Sequence, residues 1–159
     1  MEQVQPIPLP LLAPRGFHAG TVDATGRLKL PAPFTKYLAK MENMDLFMTE
    51  YRGKARIFTN GSWRKLVALL DDAPDHQDVF TSAAESIGGD IELDPQGRIT
   101  IPQKLRAQLK LESQPVQLRF HEDVITFWKL AEFEQMETAN TTAKNEVEEE
   151  LLRRGTKLR

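Results

Sequence analysis

The chain has 159 residues, with 21 Lys+Arg against 23 Asp+Glu, 40% apolar residues and no cysteine. That is material for one small domain, or two very small ones packed together, and the missing cysteines remove disulfides, thiolate metal clusters and cysteine nucleophiles together. No apolar run approaches the roughly 20 residues of a bilayer span, and Met1-Glu2-Gln3 followed by Pro6, Pro8, Pro10 and Pro14 lacks the pattern of a secretory signal, so a soluble cytoplasmic protein is expected.

Residues 1–14 read as an extended, mobile proline-rich leader. In residues 15–65 a strand leads into Asp23-Ala24-Thr25-Gly26, where the Asp carboxylate can fold onto nearby backbone N–H groups and the glycine supplies the positive φ of a tight reversal. Arg27 leaves that turn, Leu28-Lys29-Leu30 alternates as a half-buried strand, and Pro31 ends it because proline gives no ladder donor. A short helix with Phe34, Leu38 and Met41 inward follows, then a hairpin pairing Leu46–Thr49 with Arg56–Thr59 around Tyr51-Arg52-Gly53-Lys54.

The connector, residues 66–87, reads as helix, break, helix. Trp63, Leu66, Val67 and Leu70 form one stripe, Asp71-Asp72-Ala73-Pro74 interrupts it, and Asp75 is expected to cap a second helix. That helix should bury Val79, Phe80, Ala83 and Ile87 and stop at Gly88-Gly89. Residues 88–133 then repeat the first pattern: the turn Asp94 to Gly97, Arg98, the strand Ile99-Thr100-Ile101, Pro102, a helix with Leu105 and Leu109 inward, and a hairpin of Val116–Phe120 with Val124–Trp128 around His121-Glu122-Asp123. Residues 134–159 read as a helical tail with a weak stripe of Val147, Leu151 and Leu152, fraying toward Arg159.

Laid over one another at a shift of 71, residues 23–38 and 94–109 share Asp23/Asp94, Gly26/Gly97, Arg27/Arg98, Pro31/Pro102 and Leu38/Leu109. The identities fall at turn, strand stop and helix, where geometry is demanding, so one small unit is used twice. A lone hairpin is marginal in water, and two such units are expected to close one shared barrel-like sheet about a pseudo-twofold axis.

Charge is segregated along the same lines. Residues 15–65 carry ten bases and four acids, residues 66–97 carry eight acids and no Lys or Arg, and residues 98–130 carry six bases and three acids. Two basic blocks separated by an acidic connector can present a positive face although the whole chain has a net charge of -2.

Tandem Asp-x-x-Gly-Arg turns, each followed by an apolar-polar-apolar-Pro strand end, together with Arg15-Gly16 upstream of Asp23 and the aromatics Trp63 and Phe133 after each second hairpin, resemble the bacterial MraZ family over about residues 15–136. The resemblance implies an α+β fold: a swapped-hairpin, AbrB-like double-split β-barrel built from two repeats in one chain, with connecting helices and a C-terminal helix. It also implies a sequence-specific regulator that binds double-stranded DNA at direct repeats upstream of its own division and cell-wall gene cluster, usually as a repressor. Such proteins assemble as homo-oligomeric rings and would be nucleoid-associated in the cytoplasm. Carried over, the DNA-contacting turns are Asp23 to Arg27 and Asp94 to Arg98, with Arg27 and Arg98 as main ligands, Arg15 and Lys29 as neighbours, and Asp23, Gly26, Asp94 and Gly97 forming the turns. An arginine fork on a β-turn suits both phosphate and guanine O6/N7. The chain departs from the family in having Thr25 and Gln96 where a lysine commonly precedes the turn glycine, and Asp78 and Ser82 where relatives often carry arginines.

Two other readings stand beside this one. Asp and Arg flanking a turn could simply pair and pin it, a surface contact of about 0–1 kcal/mol. The acidic connector and proline-rich leader also suit an oligomeric AbrB-like protein-interaction scaffold with reduced DNA affinity. An enzyme is not expected: His18, His76 and His121 are isolated, Ser82 and Ser86 lie in no nucleophile elbow, and neither a phosphate-cradling loop nor a metal or other cofactor site is indicated.

Overall fold

The computed structural model describes residues 12–41 and 45–159, so most of the proline-rich leader lies outside the described residues. Among the described residues, eight strands and five helices follow one another in an α+β arrangement: β1 (Phe17–Thr21), β2 (Arg27–Lys29), α1 (Ala32–Ala39), β3 (Leu46–Tyr51), β4 (Lys54–Thr59), α2 (Asn60–Ala68), α3 (Pro74–Ile87), β5 (Gly89–Ile91), β6 (Arg98–Thr100), α4 (Gln103–Leu109), β7 (Pro115–His121), β8 (Val124–Lys129) and α5 (Leu130–Arg153). Six strands form an antiparallel sheet in the order β1-β7-β8-β4-β3-β5, and β2 and β6 form a separate two-stranded ribbon.

The strands on either side of each Asp-x-x-Gly turn do not pair with one another. β1 pairs with β7 and β5 with β3, so each copy lends its first strand to the other copy's hairpin, while β2 and β6 pair across the copies. The registers correspond: Leu46↔Ile91 in one crossing matches Val116↔Gly20 in the other. Two pairs map onto themselves when the copies are exchanged, Leu28↔Ile99 in the ribbon and Arg56↔Thr126 in the sheet. A local twofold relation therefore passes through the middle of both layers.

Alternation explains the core. Leu28 and Ile99 turn inward from the ribbon, Met48, Ile57, Leu118 and Ile125 from the sheet, and Phe34, Leu38 and Leu105 from the two short helices, all at 0 or 1% exposure. Each short helix begins directly after a proline at its N-cap, Pro31 or Pro102, whose fixed φ ends the strand and starts the helix. Met41 and Leu109 pack against this core while remaining partly exposed.

Both hairpins turn through two residues. Arg52 and Gly53 have φ of 53° and 83°, and Glu122 and Asp123 have φ of 53° and 58°, which is the double positive-φ turn that matches strand twist. Asp123 tolerates that conformation because its surroundings hold it: Tyr37 Oη donates to its carboxylate at 2.8 Å and Ser62 Oγ donates to its carbonyl at 2.8 Å. Burial and the Asp123 carboxylate together raise the Tyr37 pKa above its ordinary value.

The connector departs from the sequence expectation in two ways. Pro74 occupies the first helical position of α3 and Ala73 is the N-cap, so Asp75 lies in the first turn instead of capping it, where its charge still suits the helix dipole. The inward stripe is Ala84, which is buried, with Phe80 and Ile87 half-buried; Val79 is 68% exposed and Ala83 is also outward. The face is rotated because Phe80 stacks on Trp63, with ring centroids 5.5 Å apart, and Trp63 in turn meets Phe47 and Phe58 of the sheet. Among the described residues no helix is long and apolar enough to cross a membrane.

Candidate nucleic-acid interface

The β2–β6 ribbon presents its outward side chains as a short basic row. Arg27 lies opposite Thr100 and Lys29 opposite Arg98, with Leu28 and Ile99 pointing the other way into the core. By strand geometry the Cα atoms of Arg27 and Arg98 are on the order of 8 Å apart. The two Asp-x-x-Gly turns stand at opposite ends of this ribbon, and their glycine carbonyls extend its ladder: Ile101 N donates to Gly26 O at 2.8 Å and Leu30 N to Gly97 O at 3.0 Å.

Each turn is built by its aspartate. Asp23 Oδ1 accepts from the backbone N–H groups of Thr25 and Arg27, each at 2.9 Å, and from the Thr25 hydroxyl at 2.7 Å. Asp94 Oδ1 accepts from the N–H groups of Gln96 and Arg98, each at 2.8 Å. These bonds hold both carboxylates below the ordinary carboxylate pKa, the N–H of Arg27 contributing most at Asp23 and the N–H of Arg98 most at Asp94. Gly26 and Gly97 sit at φ of 81° and 79°, a conformation in which a Cβ is strained.

The arginines leave these matched turns differently. Arg98 Nε donates to Asp94 Oδ2 at 2.7 Å, so this side chain is folded back onto its own turn. Among the described residues Arg27 makes no side-chain hydrogen bond or ion pair; it is exposed, with only the through-space attraction of Asp23. Lys29 is likewise exposed beside Arg98. Arg15 stands upstream of the first turn in the chain. It precedes β1, whose five residues at about 3.3 Å each carry it away from the Asp23 turn, and its carbonyl lies 3.2 Å from His18 Nε2 beside α1. His18 is half-buried edge-on against Phe34, with ring centroids 5.0 Å apart.

A further cation at the first turn was not singled out from the sequence. Arg106 of α4 reaches across the boundary between the copies: its Nη1 donates to Thr25 O, and its Nε meets Glu112 at 3.2 Å. The guanidinium covers Gly26 closely enough that a Cβ there would overlap it. The shift of 71 places Thr35 opposite Arg106, which flags a charge present in one copy only. It does not show that the side chain serves the other copy's turn. Arg56, by contrast, belongs to the sheet: it donates to Tyr51 O at 3.0 Å and to Thr126 at 3.2 Å, lies over the Tyr51 ring, and burial lowers its pKa.

The connector positions that depart from the family pattern, Asp78 and Ser82, are exposed on α3. Among the described residues no three His, Asp or Glu side chains gather as metal ligands.

Comparison with known proteins agrees with this architecture of paired turns. The family model described as MraZ protein matches residues 89–155, which span the second turn, its hairpin and α5. The chain is 31% identical over 140 residues to a transcriptional regulator MraZ of Koribacter versatilis, covering 83% of this chain and 93% of that protein. Another, from Lactiplantibacillus plantarum, is 31% identical over 138 residues, covering 82% and 92%. A third, from Acidobacterium capsulatum, is 35% identical over 96 residues, covering 58% and 66%. Likeness of this extent places the chain in the MraZ family.

Proposed function

We propose that the protein is a transcriptional regulator that binds double-stranded DNA through the β2–β6 ribbon and its two flanking turns, as a repressor acting on direct repeats upstream of its own division and cell-wall gene cluster. The observation that carries this reading is the row of Arg27, Lys29 and Arg98 on the outward face of one ribbon whose ends are two aspartate-closed turns. A planar guanidinium projecting from a rigid turn can bond a phosphate or bridge guanine O6 and N7, and the ordered backbone lowers the conformational cost of doing so. The relatives named as transcriptional regulators point the same way.

The exchange of β1 and β5 between hairpins supports reading the fold as the swapped-hairpin, double-split barrel of AbrB-like proteins, with residues 15–65 and 88–133 as its halves. One ribbon offers few contacts. Repetition around a homo-oligomeric ring, in register with repeated DNA boxes, would raise apparent affinity without new chemistry. Such a protein would reside in the cytoplasm, associated with the nucleoid.

The test is a gel-shift titration of the full chain against its own upstream region at several salt concentrations. A salt-sensitive shift, lost in the Arg27→Ala/Arg98→Ala double variant at unchanged oligomer size, is the expected result. No shift with any upstream fragment at low salt overturns the reading in favour of a protein-interaction scaffold.

A further inference from the structure

The two turns share the same pair of aspartate-to-backbone bonds and the same glycine conformation, and the Thr25 hydroxyl adds a bond to Asp23 at the first, yet different guanidinium groups occupy them. At the second turn Arg98 is the brace: its Nε closes on Asp94 Oδ2 at 2.7 Å while its own N–H is held by Asp94 Oδ1. The first turn lacks the equivalent bond among the described residues, and the bracing cation comes from elsewhere. Arg106 is only 16% exposed along its side chain, against 39% for Arg98. Its Nε is buried and meets Glu112 as an ion pair with no aligned hydrogen bond, while Nη1 spans to the carbonyl of Thr25.

The local twofold makes this a controlled comparison. Thr35 stands where Arg106 stands, and its methyl approaches Gly97 as the Arg106 guanidinium approaches Gly26, at 3.6 Å from an ideal Cβ there. Position is therefore common to both copies, and the charged fork belongs to one. Glu112 is the partner that orients Arg106, meeting its Nε at 3.2 Å. An arginine tied into two contacts has less freedom to meet a ligand; one with none retains all its donors.

We propose, on the basis of the DNA-binding reading above, that the two halves of the ribbon divide the work: Arg27 is the arginine that contacts nucleic acid, while Arg98 and Arg106 are positioning residues, Arg98 bracing its own turn and Arg106 bracing the first turn across the copy boundary. The chain then presents one reading end and one structural end to each DNA box. Arg106 acts through the Thr25 carbonyl, holding the peptide that precedes Gly26 and thereby the direction in which Arg27 leaves the turn. Its charge remains turned toward Glu112 and away from the ligand.

Titration of the full-length Arg27→Ala, Arg98→Ala, Arg106→Met and Arg106→Lys variants against a duplex of the chain's own upstream region, at several salt concentrations and with amide hydrogen exchange on each variant, tests the assignment. Arg27→Ala is expected to weaken binding at least about tenfold and to reduce the slope of log K against log salt by about one, because a charged contact is lost. Arg98→Ala and Arg106→Met are expected to leave that slope unchanged while speeding exchange at residues 96–98 and 25–27 respectively. Arg106→Lys should behave as Arg106→Met, since an ammonium cannot span Thr25 O and Glu112 as the planar fork does. An Arg98→Ala loss equal in affinity and slope to that of Arg27→Ala overturns the division of work. So does Arg106→Met reducing the slope, or leaving exchange at residues 25–27 untouched. A wild-type chain that shifts no DNA overturns the DNA-binding reading itself, and Arg27's assignment with it, which is a different result from equal losses in two variants of a chain that binds.

Discussion

Leu28 and Ile99 face each other at the centre of the β2–β6 ribbon, each 1% exposed, and the local twofold relation of the chain passes between them. Directly above them on the outward side lies the basic row, so the apolar pair is the floor on which both turns are mounted. Truncating either residue removes buried methyl groups and leaves a cavity that the surrounding Phe34, Leu105 and sheet residues fill only in part. Leu28→Ala is expected to cost about 2–5 kcal/mol of unfolding free energy, read from the midpoint of urea denaturation at constant slope. Because the floor is shared, amide exchange should rise at both turns and not only at the first. A loss confined to residues 23–27 would show that the ribbon does not couple them.

The second hairpin carries a cost that a single substitution can relieve. Glu122 is held at φ 53° with a side chain that is largely exposed and, among the described residues, pairs with His121 at 3.8 Å. Positive φ is unfavourable for a residue with a Cβ that gains nothing local from it, and Asn followed by a second positive-φ residue is the favoured pattern in this turn. Glu122→Asn is expected to stabilise the chain by about 0.5–1 kcal/mol in thermal or urea unfolding. Asp123 is the opposite case: its carboxylate accepts from Tyr37, a bond that Asp123→Gly removes while leaving the backbone carbonyl held by Ser62, so the variant should destabilise although it relaxes the backbone.

Much of this arrangement was legible in the residues, and the exceptions share a cause. Period-two alternation located the ribbon strands, the prolines ended them, and Asp23 and Asp94 foretold turns closed by carboxylate-to-backbone bonds. Periodicity states which face is buried but not which strand lies alongside, so the lending of β1 to β7 and of β5 to β3 had no local signal. The α3 face was misread for a related reason. Apolar residues at Val79, Phe80, Ala83, Ala84 and Ile87 allow two overlapping stripes, and the choice is made by Trp63, an aromatic from the preceding helix. Arg15, a candidate by resemblance, precedes β1 and so stands a strand's length along the chain from the Asp23 turn. Arg106 shows the limit most clearly, since a contact 81 residues away in sequence is invisible to any window-based reading.

Acid should loosen the turns before it unfolds the core. Asp23 and Asp94 have folded pKa values below the ordinary 3.8 because their charged forms accept backbone N–H bonds. As pH falls, the unfolded chain takes up these protons first. The contribution of each turn is therefore fully present above the ordinary value and is lost as pH drops through the lower folded value. Opening at residues 25–27 and 96–98, read from exchange relative to the free-peptide rate at each pH and followed from about pH 5 downward, should rise only below 3.8. In the Asp23→Asn/Asp94→Asn double variant that rise should disappear, leaving the acid response of Glu150, which Arg154 and Arg153 hold low on the exposed C-terminal helix. Loosening of the wild-type turns between pH 5 and 6 would contradict the depressed values.

Gly88 joins the connector to the second copy at a point where backbone and side chain leave no room. Its φ of -98° and ψ of -170° are open to any residue, so conformation does not explain the glycine. Space does: a Cβ there would collide with Met48 O and lie 2.7 Å from Thr49 Cβ and 2.9 Å from Ala84 O. Two of those three atoms are backbone carbonyl oxygens, in β3 and in α3, and neither can swing aside as a flexible side chain would. The same contact is fastened by Thr49 Oγ1, buried at 1% exposure, donating to Ala84 O at 2.8 Å. Inserting a methyl group must therefore push the end of α3 off the sheet and stretch that bond. Overpacking of this kind typically costs about 1–3 kcal/mol, and a strained buried hydrogen bond adds to it. Gly88→Ala is expected to lower the unfolding free energy by at least that amount, and Trp63 fluorescence should change in the folded state because Phe80 moves with α3. The neighbouring Gly89 has a different prospect. A Cβ there meets only Pro102 Cγ at 3.9 Å, so Gly89→Ala should be close to neutral. Equal effects at the two positions would mean that helix termination, and not close approach to β3, is what the pair of glycines serves.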